Sequence, residues 1–275
     1  MHRLFAIALV ALLSVATASA NFFYGVGDDS NIYEFNAGTG TSLLVYETGF
    51  SSGQSNAVAW DEGNGNLFFR TPDNGVLYAW NRASNTLASL GDPGNGTANA
   101  TFGANAYWFV LDGTDDLYKS TFTYDTNGIP VTRTTTLAFA NFDGPLTNSF
   151  GFGDIAYRSV DNSIYGSSNR GLWKFDVGTA VFTMLNASFT TLRQIAWSAD
   201  GNTLFAHNHN NGAWSTISTT TWTESPLGSP QIQSTRLRDI DNASATSAVP
   251  EPGTLSMLGL AGLLLAVGTM RRRKV

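Results

Sequence analysis

The chain contains no cysteine. Thiolate metal sites and thiol catalysis are therefore excluded, and no disulfide framework can hold an exported fold together. Helical spacing of apolar residues is missing everywhere between residues 21 and 250, so that stretch is not built from amphipathic helices. Cations are scarce there too. Setting aside Arg3 and the four cations of Arg271–Lys274 leaves 10 of the 15 Lys and Arg. Setting aside Glu251 leaves 20 of the 21 Asp and Glu, so the body carries about −10. Nucleic acid is excluded as a partner, because binding it demands clustered cations. Histidine is nearly absent, at three residues, of which His2 lies at the extreme N-terminus.

The two ends differ from the body. Met1–Ala20 begins with Arg3, continues through an apolar run from Leu4 to Leu13, and closes with Ala18-Ser19-Ala20. A positive start, a short apolar core and small residues at the −3 and −1 positions describe a secretory signal peptide. The expected boundary is 1–20, with signal peptidase acting after Ala20 and Asn21 as the first mature residue. At the other end, residues 254–270 carry no charge and are followed at once by Arg271, Arg272, Arg273 and Lys274. Seventeen residues of helix rise about 26 Å, enough for a short transmembrane span. The cations of 271–274 orient it with the basic end in the cytoplasm and the body on the far side.

Before that span stands Val249-Pro250-Glu251-Pro252-Gly253. Two prolines around one carboxylate make a stiff extended segment that cannot enter the helix behind it. Pro250, Glu251 and Pro252, then an apolar span, then an arginine cluster at the C-terminus, resemble the PEP-CTERM sorting signal of Gram-negative bacteria. The resemblance covers residues 249–275, about a tenth of the chain. It implies recognition by the membrane enzyme exosortase, cleavage near Pro250–Pro252, and delivery to the cell surface or an exopolysaccharide matrix. It implies nothing about the body. Residues 242–248, Asn-Ala-Ser-Ala-Thr-Ser-Ala, read as a flexible linker.

Residues 21–241 are repetitive. Four stretches, Asn56–Gly91, Asn105–Phe142, Gly153–Asn186 and Arg193–Gly228, share one layout. Each opens on a short apolar strand: Ala57–Trp60, Tyr107–Val110, Ile155–Tyr157 or Ile195–Trp197. Turns rich in Asp, Asn and Gly lead to a second and a third strand, as in Leu67–Phe69 and Leu77–Asn81, and a polar fourth strand ends the unit. Four strands per 40–50 residues, apolar inside and polar outside, predict β-propeller blades. The chain enters mid-unit, with Phe22–Gly25 as a second strand, Asn31–Asn36 as a third and Leu43–Thr48 as a fourth. The missing first strand matches Thr235–Ile240, so one blade closes from both termini. The expectation is an all-β, five-bladed propeller, flanked by the signal helix and the C-terminal transmembrane helix. A two-sheet sandwich is the alternative.

Catalytic patterns are thin. There is no Gly-x-Ser-x-Gly elbow, and no two carboxylates pair as acid and base. His207 and His209 share a face if their segment is a strand, a metal pair lacking a third ligand. Asp112–Asp116 supplies oxygen ligands but lacks the rest of a calcium loop, and a plain turn is the simpler reading. Trp60, Trp80, Trp108, Trp173, Trp197 and Trp214 recur at matching repeat positions, as core residues do. No cofactor is expected. The leading expectation is an exported protein of the surface or exopolysaccharide matrix, processed by exosortase, that displays a non-catalytic propeller as a binding or structural module. Extracellular polysaccharide is the candidate ligand, held in the concave channel mouth. The alternative is a metal-dependent propeller hydrolase or lactonase-like enzyme, with a divalent ion held in the channel by several blades.

Overall fold

The computed structural model describes residues 21–244 except 51–54, 72–74, 93–96, 112–113, 115, 143–151, 229–230 and 243. Twenty strands form five four-stranded antiparallel sheets arranged as propeller blades, with no helix among the described residues. The signal segment, the apolar span and the basic tail lie outside the described residues, as do Pro250, Glu251 and Pro252.

Blade one joins β1 (Phe22–Gly27), β2 (Ile32–Asn36) and β3 (Thr41–Tyr46) to the last strand, β20 (Leu237–Ile240), in the order β20-β1-β2-β3. Gly25 lies opposite Ile240 and Val26 opposite Asp239, so the expected closure by both termini is present. Blade two is β4 (Asn56–Asp61), β5 (Asn66–Arg70), β6 (Leu77–Asn81) and β7 (Thr86–Ser89). Blade three is β8 (Thr97–Gly103), β9 (Ala106–Leu111), β10 (Leu117–Tyr124) and β11 (Pro130–Phe139). Blade four is β12 (Phe152–Arg158), β13 (Ser163–Ser168), β14 (Gly171–Asp176) and β15 (Val181–Asn186). Blade five is β16 (Gln194–Trp197), β17 (Leu204–Asn208), β18 (Ala213–Ile217) and β19 (Glu224–Pro226).

Blade three corrects the sequence reading. Tyr107–Val110 belongs to its second strand, and the innermost strand is the preceding β8. Two features hide β8 from pattern reading. Its residues are mostly Thr, Asn and Ala rather than large apolar types. Its turn to β9 is Ala104-Asn105, both with positive φ (49° and 59°), which is a two-residue primed hairpin turn made without glycine.

The core divides into five clusters, one at each junction between neighbouring blades. Trp60, Leu67 and Trp80 of blade two pack on Tyr24 and Val26 of blade one. Phe68 and Ala79 pack on Tyr107 and Phe109 of blade three. Trp108 and Val110 pack on Ile155, Trp173 and Phe175 of blade four. Tyr165 and Leu172 meet Ile195 and Trp197 of blade five, and Phe205 and Trp214 meet Phe23 and Phe35 of blade one. Ring closure is thus an aromatic contact, with Phe35 stacked on Trp214 at 4.0 Å and 12°. Alternation explains the arrangement: the two faces of each sheet both meet a neighbouring blade, so inner and middle strands are apolar on both faces. β3, β11 and β15 lie on the outside, and apart from Pro130 their residues are exposed or half-buried. The Trp173 ring lies flat over the space above Gly166, which a Cβ there would occupy.

Candidate functional site

The five innermost strands β20, β4, β8, β12 and β16 surround the axis. Each offers an unpaired edge of N–H and C=O groups to the channel, and such groups are costly when buried without partners. Side chains from these strands, and from Asp241 and Asn242 just beyond β20, answer several of the donors. Asp154 accepts from the N–H of Ile155 next to it (2.7 Å) and from the Ile195 N–H of blade five (2.9 Å). Asp239 repeats the device, accepting from Ile240 (3.0 Å) and from Val58 of blade two (2.9 Å). Asp241 takes the N–H of Trp60 (2.8 Å), the N–H of Phe102 (3.0 Å) and the hydroxyl of Thr101 (2.8 Å), joining blades two and three. Thr101 in turn accepts from Tyr157 N–H of blade four at 2.8 Å. Asn242 completes the circuit, accepting from Trp197 N–H (2.9 Å) and donating to the Tyr157 carbonyl. The centre is therefore a stitched polar plug.

All three aspartates are fully buried. Burial raises each carboxyl, and the N–H donors only partly offset it. Asp241 is pushed up to about 7. Asp154 is raised well above the ordinary range by burial and by the nearby Asp239 charge, and Asp239 by burial and by Asp241. Sequence reading missed these residues because it sought carboxylates in pairs. The available signal was an Asp-Ile step inside an apolar inner strand, at Asp154-Ile155 and again at Asp239-Ile240.

One end of the channel opens into a cleft of about 380 Å³. It is built where the inner strands turn into the second strands. Glu62 and Asn64 of blade two, Asn105 of blade three, Arg158 and Ser159 of blade four, and Trp197 of blade five line it. Asp61 shapes the first of these turns, accepting from the Asn64 N–H (3.2 Å) and side chain (2.8 Å) and from the Tyr124 hydroxyl (2.9 Å). The Arg158 guanidinium sits 4.6 Å from the Trp197 ring centre and donates to the Gly201 carbonyl at 2.7 Å. Arg82 caps Trp60 in the same way at 5.2 Å. Among the described residues the buried Trp197 indole N–H has no hydrogen-bond partner. Ser244 closes one side, donating to Glu62 at 3.1 Å while its backbone pairs with Phe22. Asn242 and Ser244, which composition places in the linker, are thus part of the folded centre.

The two candidate histidines are not brought to this cleft. His207 lies on β17, wholly buried against Trp214 at 4.8 Å, with both ring nitrogens unpartnered among the described residues. Burial pushes it down to about 3, so the ring stays neutral. His209 falls in the turn beyond β17 and does not share a strand face with it. Among the described residues, no three His, Asp or Glu side chains are grouped to hold a metal ion. Of Asp112–Asp116 only Thr114 and Asp116 are described, and Asp116 accepts from the Asn141 N–H.

The C-terminus decides how the chain is handled. Residues 248–274 match the PEP-CTERM protein-sorting motif. The chain carries a PEP-CTERM sorting signal. A PEP-CTERM tail implies an exported, membrane-anchored precursor processed by exosortase, here with a propeller as its body. No helix among the described residues is long and apolar enough to cross a membrane, and the apolar span of the tail lies outside them. No curated protein matches in sequence. In structure the body is similar to a chain of the crystallised nidogen/laminin complex, with TM-score 0.53, 9% identity, and 82% of this chain and 81% of that one covered. It also resembles a structural genomics protein of unknown function from Bacteroides thetaiotaomicron (TM-score 0.49, 15% identity, 76% of this chain and 58% of that one). The first likeness shows the fold alone.

Proposed function

We propose that the protein is delivered to the cell surface or its exopolysaccharide matrix, where the propeller works as a non-catalytic binding module. Signal peptidase acts after Ala20, with Ala18 at −3; residues 254–270 hold the precursor in the membrane; and exosortase acts at Pro250, Glu251 and Pro252. Arg271, Arg272, Arg273 and Lys274 keep the tail's end cytoplasmic.

The binding site in this reading is the channel mouth. The observation that carries it is the cleft itself, about 380 Å³ at the channel mouth, built from turns of several blades and rimmed by polar side chains. Around it stand neutral and mixed-charge polar groups, Asn64, Asn105, Ser159, Glu62 and Arg158, a set matched to a hydroxyl-rich ligand such as a sugar unit of extracellular polysaccharide. The hydrolase alternative needs channel carboxylates free to hold a divalent ion. Asp154, Asp239 and Asp241 spend their oxygens on strand N–H groups, which supports the binding reading.

Titrating the body, ending at Ala248, with matrix polysaccharide and its oligosaccharides tests the reading. Saturable binding is expected, weakened about tenfold in Asn64→Ala, which removes an exposed amide from the cleft wall. No binding by the intact body, or identical affinity in the variant, would refute the mouth as the site.

A further inference from the structure

The outer edges of the five blades are not alike. β3, β7, β15 and β19 run for six, four, six and three residues, whereas β11 runs for ten. Among the described residues no strand pairs with the outer edge of β11. Its outward N–H and C=O groups are therefore a template for one more strand. Natural edges are guarded by lysine, proline, inward charge or bulges. β11 has Pro130 and the extra residues Val131 and Ala138 near its ends, but the stretch between them, Thr132–Leu137, is regular. That stretch holds no Lys, Pro, Asp or Glu. Its one charge, Arg133, is turned onto the carbonyls of Gly91 and Asp92 in its own chain.

The residues along β11 read nearly the same in both directions. Outward from Thr134, Arg133 matches Thr135, Thr132 matches Thr136, Val131 matches Leu137, and Ile129 matches Phe139. An antiparallel partner strand runs in reverse. A second β11 laid along the first, with Thr134 on the two-fold axis, therefore sets threonine against threonine near the centre and apolar against apolar at both ends. Hydroxyl pairs across antiparallel strands are favourable, and the chain already makes them between β10 and β11, at Thr123–Thr132 (2.6 Å) and Ser120–Thr135 (2.7 Å). Val131 and Leu137 are 61% and 50% exposed, and the pairing covers both. Although the body as a whole is acidic, neither strand brings a carboxylate to this seam. From this we infer that β11 is a self-docking edge, at which two copies of the chain join their third blades into one continuous antiparallel sheet.

The absence of cysteine lets the register be read directly. Thr132→Cys, Thr134→Cys and Thr136→Cys each place one thiol at an exposed position of the edge, and Leu44→Cys places one on exposed β3 for comparison. The full chain in detergent is oxidised mildly, the linked fraction is followed on non-reducing gels, and the mass of the cysteine-free parent is measured by sedimentation. Residues directly opposite lie about 4.5–5.5 Å apart, within disulfide reach, whereas those four positions out of register lie about 13 Å apart, beyond it. Expected is a dimer mass, with self-linking at Thr134→Cys about tenfold faster than at Thr132→Cys, Thr136→Cys or Leu44→Cys alone. Mixing Thr132→Cys with Thr136→Cys is expected to restore fast linking. Leu137→Lys is expected to raise the dissociation constant about tenfold, and Leu44→Lys to leave it unchanged. A dimer that links in another register, or equally at Leu44→Cys, would overturn β11 as the seam. A monomer at about 100 µM without fast linking at Thr134→Cys would overturn self-docking and leave the edge to a strand of another protein.

Discussion

The junctions between blades and the centre of the ring are both fully buried, yet they are held by opposite chemistry. The junctions are rings against rings, such as Tyr24 on Trp60 at 4.4 Å and Phe35 on Trp214 at 4.0 Å. The centre is three aspartates and an asparagine drawing in N–H groups from neighbouring inner strands. The difference follows from what each region must satisfy. At a junction the sheet faces meet, and only side chains are in contact. At the axis the sheet edges meet, and backbone donors have to be answered.

Breaking a junction has the largest expected effect. Trp173→Ala empties the contact between blades three and four and is expected to cost about 3–5 kcal/mol, read from urea or thermal unfolding of the body. Breaking the centre comes next. Asp241→Ala strands the donors of Trp60, Phe102 and Thr101 together and is expected to cost about 2–4 kcal/mol, whereas a loss below that of a surface substitution would show the plug to be dispensable. Gly166→Ala leaves the chemistry of the junction intact and only crowds Trp173, for about 1–3 kcal/mol.

Acidity separates the regions, since the Trp and Phe rings of the junctions carry no titrating group whereas the central carboxyls do. Buried His207 beside Trp214 works with the opposite sign, its contribution being lost as pH falls below the ordinary imidazole value. Asp241 rises from 3.8 to about 7 in the folded body, so the native state holds a proton that the unfolded chain releases. Stability contributed by that proton is present in full below about 4, declines as pH rises, and is gone once pH passes about 7. Asp154 and Asp239 shift the same way, so all three act with one sign. The body is therefore expected to melt at a higher temperature at pH 5 than at pH 8, with a smaller difference in Asp241→Asn. A flat profile in the parent would remove the central charges from the account. The smallest effect is reserved for the periphery: Thr123→Ala cuts the exposed hydroxyl pair with Thr132 and is expected to change stability by under about 0.5 kcal/mol.

The same division governs what could be read in advance. Blades two, four and five were legible because Leu67–Phe69, Ile164–Gly166 and Leu204–Ala206 repeat an apolar rhythm that serves the junctions. β8 was not, because a strand facing the axis can be made of Thr, Asn and Ala, and because Ala104-Asn105 turns without the expected glycine. Asp154 and Asp239 were passed over for a related reason. A carboxylate that answers backbone donors leaves no partner side chain in the sequence to pair it with.

The amino-acid order by itself determined the export leader and sorting tail as candidate signals, the all-β class, the number of blades and the closure by both ends, since local spacing and turn residues carry that information. Only the tertiary structure decided that the axis is filled by Asp154, Asp239, Asp241 and Asn242, that Ser244 closes one side of the cleft, and that His207 and His209 play no part in it. Those outcomes depend on which strand edges face one another across the ring, and edge-to-edge geometry has no period along the chain.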